Sequence, residues 1–175
     1  MFSEQDIANR IEDLGRAITH DYTQAADAGE DIVMVALLRG GATFMADLAR
    51  KVELPLELDY MSVSSYGNEA TSSGEVKIIK DLTSDIEGKH VILTEDIVDS
   101  GLTLSRVIAL LKSRNPLSLE VVVCLRKDVV DQIAVDCRYL GFVCPDEFVV
   151  GYGLDYAEHY RNLPYIGVLK PEIYS

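Results

Sequence analysis

Three carboxylates, Glu95, Asp96 and Asp99, stand directly ahead of Ser100-Gly101-Leu102-Thr103, at the end of the apolar run Val91-Ile92-Leu93. The apolar run reads as a buried strand, Ser100 and Gly101 as a small permissive turn, and the spacing of Leu104, Ile108 and Leu111 as a helix. Free N–H groups of a loop that enters a helix, together with the positive end of the helix dipole, bind an oxyanion. Carboxylates one turn upstream would repel that anion. Glu95 and Asp96 therefore suit neutral sugar hydroxyls or a divalent cation, while Asp99, beside the loop, can exchange a proton with a bound base. Sugar, phosphate and base together describe a nucleotide or its precursor. The plainer alternative is a strand end with solvated acids before a helix N-terminus that favours negative charge. The motif alone leaves both readings open.

The elements that must position these residues follow from periodicity. Ile7, Ile11, Leu14 and Ile18 repeat at helical spacing, with Ser3 as a cap. Residues 32–38 form a continuous apolar run fit for a doubly covered strand; Arg39-Gly40-Gly41 then turns into a helical stretch over about 43–50. Residues 54–61 read as a strand, and 62–74 collect Ser, Gly, Asn and Thr as a mobile loop. Further strands are expected over 75–82, 90–95 and 119–125, the last set off from its preceding helix by Asn115-Pro116. Strands alternating with helices imply an α/β fold: a parallel sheet with helices on both faces and a ligand at the carboxyl ends of the strands. After Arg138 the segments shorten, so the C-terminus is expected to form a small cap.

The 175 residues suit one domain, and 48% hydrophobic content is far from that of a disordered chain. A net charge of -13, from 16 basic and 29 acidic residues, argues against nucleic acid or an anionic membrane as partner. Small phosphorylated substrates remain compatible, with Mg²⁺ supplying positive charge that the surface lacks. No apolar stretch reaches membrane-spanning length and the N-terminus lacks an export signal, so a cytoplasmic location is expected. Cys124, Cys137 and Cys144 form no CxxC pair and read as free thiols; His20, His90 and His159 are too scattered for a zinc site.

The block from residue 90 to 106 resembles the diphosphoribosyl-binding signature of the type I phosphoribosyltransferases, in which two acidic residues after an apolar run precede a Ser- or Thr-Gly phosphate loop. An Asp at the third acidic position points to the hypoxanthine-guanine branch, since the adenine and orotate branches usually carry Ala there. The resemblance implies Glu95 and Asp96 as ribose-hydroxyl and metal-side groups. It implies Asp99 as general acid/base at the purine N7, and Ser100, Gly101, Leu102 and Thr103 as the 5'-phosphate loop. Leu38-Arg39-Gly40-Gly41 is similar to the family's pyrophosphate loop, in which the bond before Arg39 is cis. Ser65-Tyr66 is similar to its lid dipeptide, which closes over the reaction and excludes water. A strand-to-helix glycine turn and a polar loop are, taken singly, ordinary structure.

Lys127 stands at the family's position for reading the exocyclic O6, where a donor-only ammonium favours a 6-oxo base over adenine. The segment PDEFVVGYGLDYAEHYRNLPYIG resembles the family's hood. There Phe148 is expected to stack on the purine and Val149 to meet its Watson-Crick edge with backbone. Asp155 would hold a second Mg²⁺ and Arg161 would contact pyrophosphate. The resemblance thus implies one domain over residues 1–175: a core over about 20–140 and a hood over about 141–175, with the N-terminal helix nearby. It implies a purine-salvage enzyme that joins phosphoribosyl pyrophosphate to hypoxanthine or guanine with Mg²⁺, forming a homodimer or homotetramer. A xanthine-preferring enzyme passes the same Lys127 test. An RNA-binding regulator on this fold would need the basic face that a charge of -13 denies it. A receiver-like nucleotide-binding module would leave Ser65-Tyr66 and the hood unexplained.

Overall fold

The computed structural model describes residues 1–64, 77–129 and 133–174. Its centre is a six-stranded sheet in the order β3-β2-β1-β4-β5-β6. The strands are β1 (Ile32–Leu37), β2 (Glu57–Ser64), β3 (Lys77–Lys80), β4 (His90–Val98), β5 (Ser118–Lys127) and β6 (Tyr139–Cys144). All pairings are parallel except β2 with β3, which is antiparallel.

β1 is buried at every position because both faces of the sheet are covered. Ile32, Met34 and Ala36 join one apolar cluster with Ile7, Ile11, Leu14 and Ile18 of α1 (Glu4–Asp27) and Phe44, Met45 and Leu48 of α2 (Gly41–Ala49). Val33, Val35 and Leu37 point the other way, into a cluster with Leu104, Val107 and Leu111 of α3 (Leu102–Lys112). The two-residue period of a strand divides one apolar run between two helical layers. α1 starts where expected: Ser3 Oγ accepts the Asp6 N–H at 3.2 Å, and Asp6 Oδ2 accepts the Ser3 N–H at 2.9 Å.

Several boundaries differ from the sequence expectation, among them β5, which runs through Lys127 rather than ending at residue 125. β4 runs past Glu95 to Val98, because its ladder with β5 continues through Glu95↔Val123, Ile97↔Leu125 and Val98↔Arg126. β2 lies three residues later than residues 54–61, since its pairing with β1 begins at Val33↔Glu57. β3 ends at Lys80 rather than at residue 82 and is reversed in direction.

The C-terminal segment folds over one end of the sheet. β7 (Val149–Val150) pairs antiparallel with β8 (Gly167–Val168), followed by the short α4 (Pro171–Tyr174). Phe2 bridges Ile166 and stacks on Phe142 at 4.2 Å, which ties the N-terminus to this segment. Tyr152 Oη donates to Asp47 Oδ2 of α2 at 2.8 Å.

Candidate active site

The chain leaves β1 toward β2 on one side of the sheet and reaches β4 on the other, so the carboxyl ends of the adjacent strands β1 and β4 form the topological switch point. The two glycine turns singled out in the sequence both lie there. After β1, the Leu38-Arg39 peptide is cis and Gly40 opens α2. After β4, Gly101 opens α3 at φ +77°, a conformation that suits glycine. A Cβ on Gly101 would also come within 2.6 Å of the Ile133 carbonyl oxygen. Leu102 and Thr103 are therefore the first helical residues rather than loop, and the N–H groups of this first turn have no intrahelical acceptor. Ser100 Oγ accepts the Leu102 N–H at 3.4 Å, and the Ser100 carbonyl accepts the Ile133 N–H at 2.9 Å.

Glu95 and Asp96 occupy the last part of β4. The Glu95 carboxyl is pushed well above the usual carboxylate range, first by burial and then by the adjacent Asp96 charge. The Asp96 carboxylate accepts the Ile97 N–H at 2.8 Å and lies against Gly40, where a Cβ would overlap it. On the opposite side of the same turn, a Cβ on Gly153 would lie 2.5 Å from the Gly40 carbonyl oxygen. Glycine at 40 and 153 thus lets the turn after β1 be clasped between the signature strand and the C-terminal segment.

One cavity of about 230 Å³ is lined by Asp96, Asp99, Lys127, Phe148, Val149 and Asp155 together with Ile97 and Leu154. Six predicted residues from four separate segments face a single space. Within it Lys127 Nζ lies 3.4 Å from Asp99 Oδ2 and 3.2 Å from Asp146 Oδ1. Burial alone would lower the lysine pKa. The hydrogen bond to Asp146 and the charges of Asp99 and Asp146 outweigh it, so the ammonium is held above its usual range. Phe148 is 37% exposed and meets Tyr156 edge-on, with ring centroids 5.6 Å apart.

Neither Arg39 nor Arg161 lines this cavity, but the two share Glu158: Oε2 is 2.7 Å from Arg39 Nη1 and 3.3 Å from Arg161 Nη2. Arg161 also pairs with Asp155 Oδ1 at 2.8 Å and donates to the Gly153 carbonyl at 2.8 Å. Arg161 further lines a larger cavity of about 690 Å³ between α1, α2 and the C-terminal segment, which holds none of the other predicted residues. The carboxylates, the ammonium and the exposed ring converge on the smaller space. Ser65 and Tyr66 fall outside the described residues.

Two residues of this constellation were not singled out from the sequence. Glu158 is three residues from both Asp155 and Arg161, a spacing that signals a helical ion pair, yet Ala157 and Glu158 have φ of +50° and +67° and the segment is a turn. Asp146 carried no pattern; only the approach of the C-terminal segment to β5 reveals it. The three cysteines are free, as expected, and no helix among the described residues is long and apolar enough to cross a membrane.

Comparison with known proteins agrees with this geometry. Residues 4–157 match the phosphoribosyl transferase domain family. The chain is 51% identical over its whole length to the bifunctional protein TilS/HprT of Listeria innocua, of which it spans 26%. It is 48% identical to the hypoxanthine-guanine phosphoribosyltransferase of Dictyostelium discoideum, with 100% of this chain and 97% of that one covered. A crystal structure of a hypoxanthine phosphoribosyltransferase from Staphylococcus aureus superimposes with a TM-score of 0.92 at 48% identity, covering 100% of this chain and 92% of the other. These matches place the chain in the phosphoribosyl transferase domain family, among the hypoxanthine-guanine phosphoribosyltransferases.

Proposed function

We propose that the chain transfers the 5-phosphoribosyl group of phosphoribosyl pyrophosphate to hypoxanthine or guanine, giving IMP or GMP and pyrophosphate. The observation that carries this reading is the Asp99–Lys127 pair, 3.4 Å apart on one cavity with Phe148 and Val149. A 6-oxopurine presents N7 and O6 side by side on one edge. An ammonium opposite O6 and a carboxyl group opposite N7 match that edge, whereas the 6-amino group of adenine would set donor against donor.

In the proposed reaction N9 of the base attacks the anomeric carbon as pyrophosphate leaves, through an oxocarbenium-like transition state. Asp99 handles the N7 proton. Lys127 donates to O6, Phe148 stacks on the ring and the Val149 backbone meets the Watson-Crick edge. The first-turn amides of α3, with Ser100 and Gly101, hold the 5'-phosphate. Arg39, the Gly40 backbone and Arg161 hold the leaving pyrophosphate. Ser65 and Tyr66 are assigned to the lid on sequence resemblance alone.

The acidic residues fit Mg²⁺. Among the described residues no three His, Cys, Asp or Glu side chains form a complete cage, but Asp96 and Asp155 face one cavity. Mg²⁺ is held in just this way, by one or two carboxylates completed by water and substrate phosphates. Glu95, whose charge is disfavoured by burial and by Asp96, gains a partner if a cation is near. Glu95 and Asp96 would serve the ion on the ribose side and Asp155 a second one on the pyrophosphate side. When bound, Mg²⁺ neutralises charge on the leaving pyrophosphate. We further propose that the protein works in the cytoplasm as a homodimer or homotetramer.

The test is to supply phosphoribosyl pyrophosphate and Mg²⁺ with hypoxanthine, guanine, xanthine, adenine or uracil in turn and follow nucleotide formation. Turnover of hypoxanthine and guanine supports the reading. Turnover of xanthine alone would move the base assignment, and turnover of adenine or uracil alone would overturn it.

A further inference from the structure

We propose that Glu158 is a tethered counter-anion of the pyrophosphate site: its carboxylate engages the guanidinium groups of Arg39 and Arg161, and pyrophosphate must displace it to bind. This rests on the reading that those two arginines hold pyrophosphate. One oxygen, Oε2, serves both, at 2.7 Å from Arg39 Nη1 and 3.3 Å from Arg161 Nη2. Arg39 follows β1 and Arg161 lies in the hood, so the carboxylate links the two halves of the site at the point where a bridging dianion would link them.

The backbone holds Glu158 there. Its N–H donates to Asp155 Oδ2 at 2.9 Å, and Tyr156 and His159 close a two-way bridge around it. Ala157 and Glu158 adopt φ of +50° and +67°, which a side chain with a Cβ disfavours. Such conformations persist where surrounding contacts enforce them, and they concentrate at ligand sites. The Arg39 and Glu158 side chains are 69% and 56% exposed, so the bridge is wet and individually weak. A weak, solvated anion on two cations suits a contact that is exchanged in every turnover: it keeps the guanidinium groups oriented while lowering net affinity for the product anion.

The test is Glu158→Gln in the full chain, which keeps size and removes the charge. Pyrophosphate inhibition should tighten, and KM for phosphoribosyl pyrophosphate should fall, each by about three- to tenfold, the scale of two exposed ion pairs. KM for hypoxanthine should not move. Glu158→Ala should change pyrophosphate binding in the same direction. Weaker or unchanged pyrophosphate inhibition in Glu158→Gln overturns the proposal, since a residue that only positions the arginines would weaken binding when removed. Arg39→Gln and Arg161→Gln separate the two claims. If both weaken pyrophosphate inhibition while Glu158→Gln does nothing, the counter-anion role alone fails. If neither weakens it, the pyrophosphate assignment itself fails.

Discussion

Asp99 Oδ2 and Lys127 Nζ lie 3.4 Å apart across the carboxyl ends of β4 and β5, where the register Val98↔Arg126 sets the next residue of each strand opposite the other. The proposed proton-transfer group and the proposed O6 donor are thus placed by one pair of neighbouring backbones rather than by long loops. Asp99→Asn keeps the shape of the side chain and removes its acid/base capacity. The fold and substrate binding should persist while turnover falls roughly 10²-fold or more. Steady-state kinetics beside a denaturation curve check this; a near-normal rate removes Asp99 from the mechanism.

Lys127→Met should lower kcat/KM for hypoxanthine by roughly 10- to 100-fold, the value of a hydrogen bond to a charged group, about 1.5–3 kcal/mol. Asp146→Asn should have a smaller effect in the same direction, because Asp146 touches the ammonium at 3.2 Å and helps keep it charged. The Asp146 effect should vanish in the Lys127→Met background. Additive losses would mean that Asp146 acts by another route.

The turn after β1 is clasped between Asp96 and Gly153, and glycine is required at both contacts. Gly40 has helical φ of -61°, so the cost of Gly40→Ala is steric, from overlap with the Asp96 carboxylate. Displacing the turn by even about 1 Å should raise KM for phosphoribosyl pyrophosphate at least roughly tenfold. Gly153→Ala adds a Cβ 2.5 Å from the Gly40 carbonyl oxygen at a φ of +99°, and should cost about 1–3 kcal/mol of stability as well. Urea denaturation and substrate kinetics on each variant decide. Unchanged stability and KM in Gly153→Ala would show that the clasp does not constrain the turn.

These contacts mark the limit of what was legible in the sequence. The layers were legible because β1, β4 and β5 are apolar runs buried on both faces, and α1 carries a clean stripe from Ile7 to Ile18 with a Ser3 cap. The turn into α3 was legible because Gly101 and three upstream acids sit at fixed offsets from an apolar run. The end of β4 was not, since Asp96 and the residues after it look like loop until the ladder with β5 is seen to continue. Glu158 and Asp146 were missed for a related reason. Each acts across elements, from a turn with positive φ and from the start of the hood, and no local period encodes such a meeting. Lys127, by contrast, could be placed only by resemblance, since a lysine after a strand is otherwise a common surface residue.

Acid should expose a different part of the frame. The buried Asp59 carboxylate accepts N–H groups of Tyr60, Thr83 and Ser84 at 2.7, 2.6 and 3.1 Å and faces Lys80 at 3.6 Å. Burial raises its pKa, but those N–H groups and Lys80 outweigh it and hold it below the usual 3.8. A pKa lowered on folding stabilises the native state above the unfolded value, and the gain is lost as pH falls through the folded one. Asp59→Asn should therefore cost about 1.5–3 kcal/mol at neutral pH, with a gap that shrinks in acid. Urea midpoints of both proteins over a pH series check it; a gap of constant size contradicts the assignment.

The most direct measurement is a crystal structure of the chain with IMP. The account predicts the 5'-phosphate on the amides of residues 100–103, the purine against Phe148, N7 toward Asp99 and O6 within hydrogen-bond reach of Lys127 Nζ. A nucleotide seated instead in the larger space between α1 and α2, or a base with its N7–O6 edge turned away from Asp99 and Lys127, would contradict it.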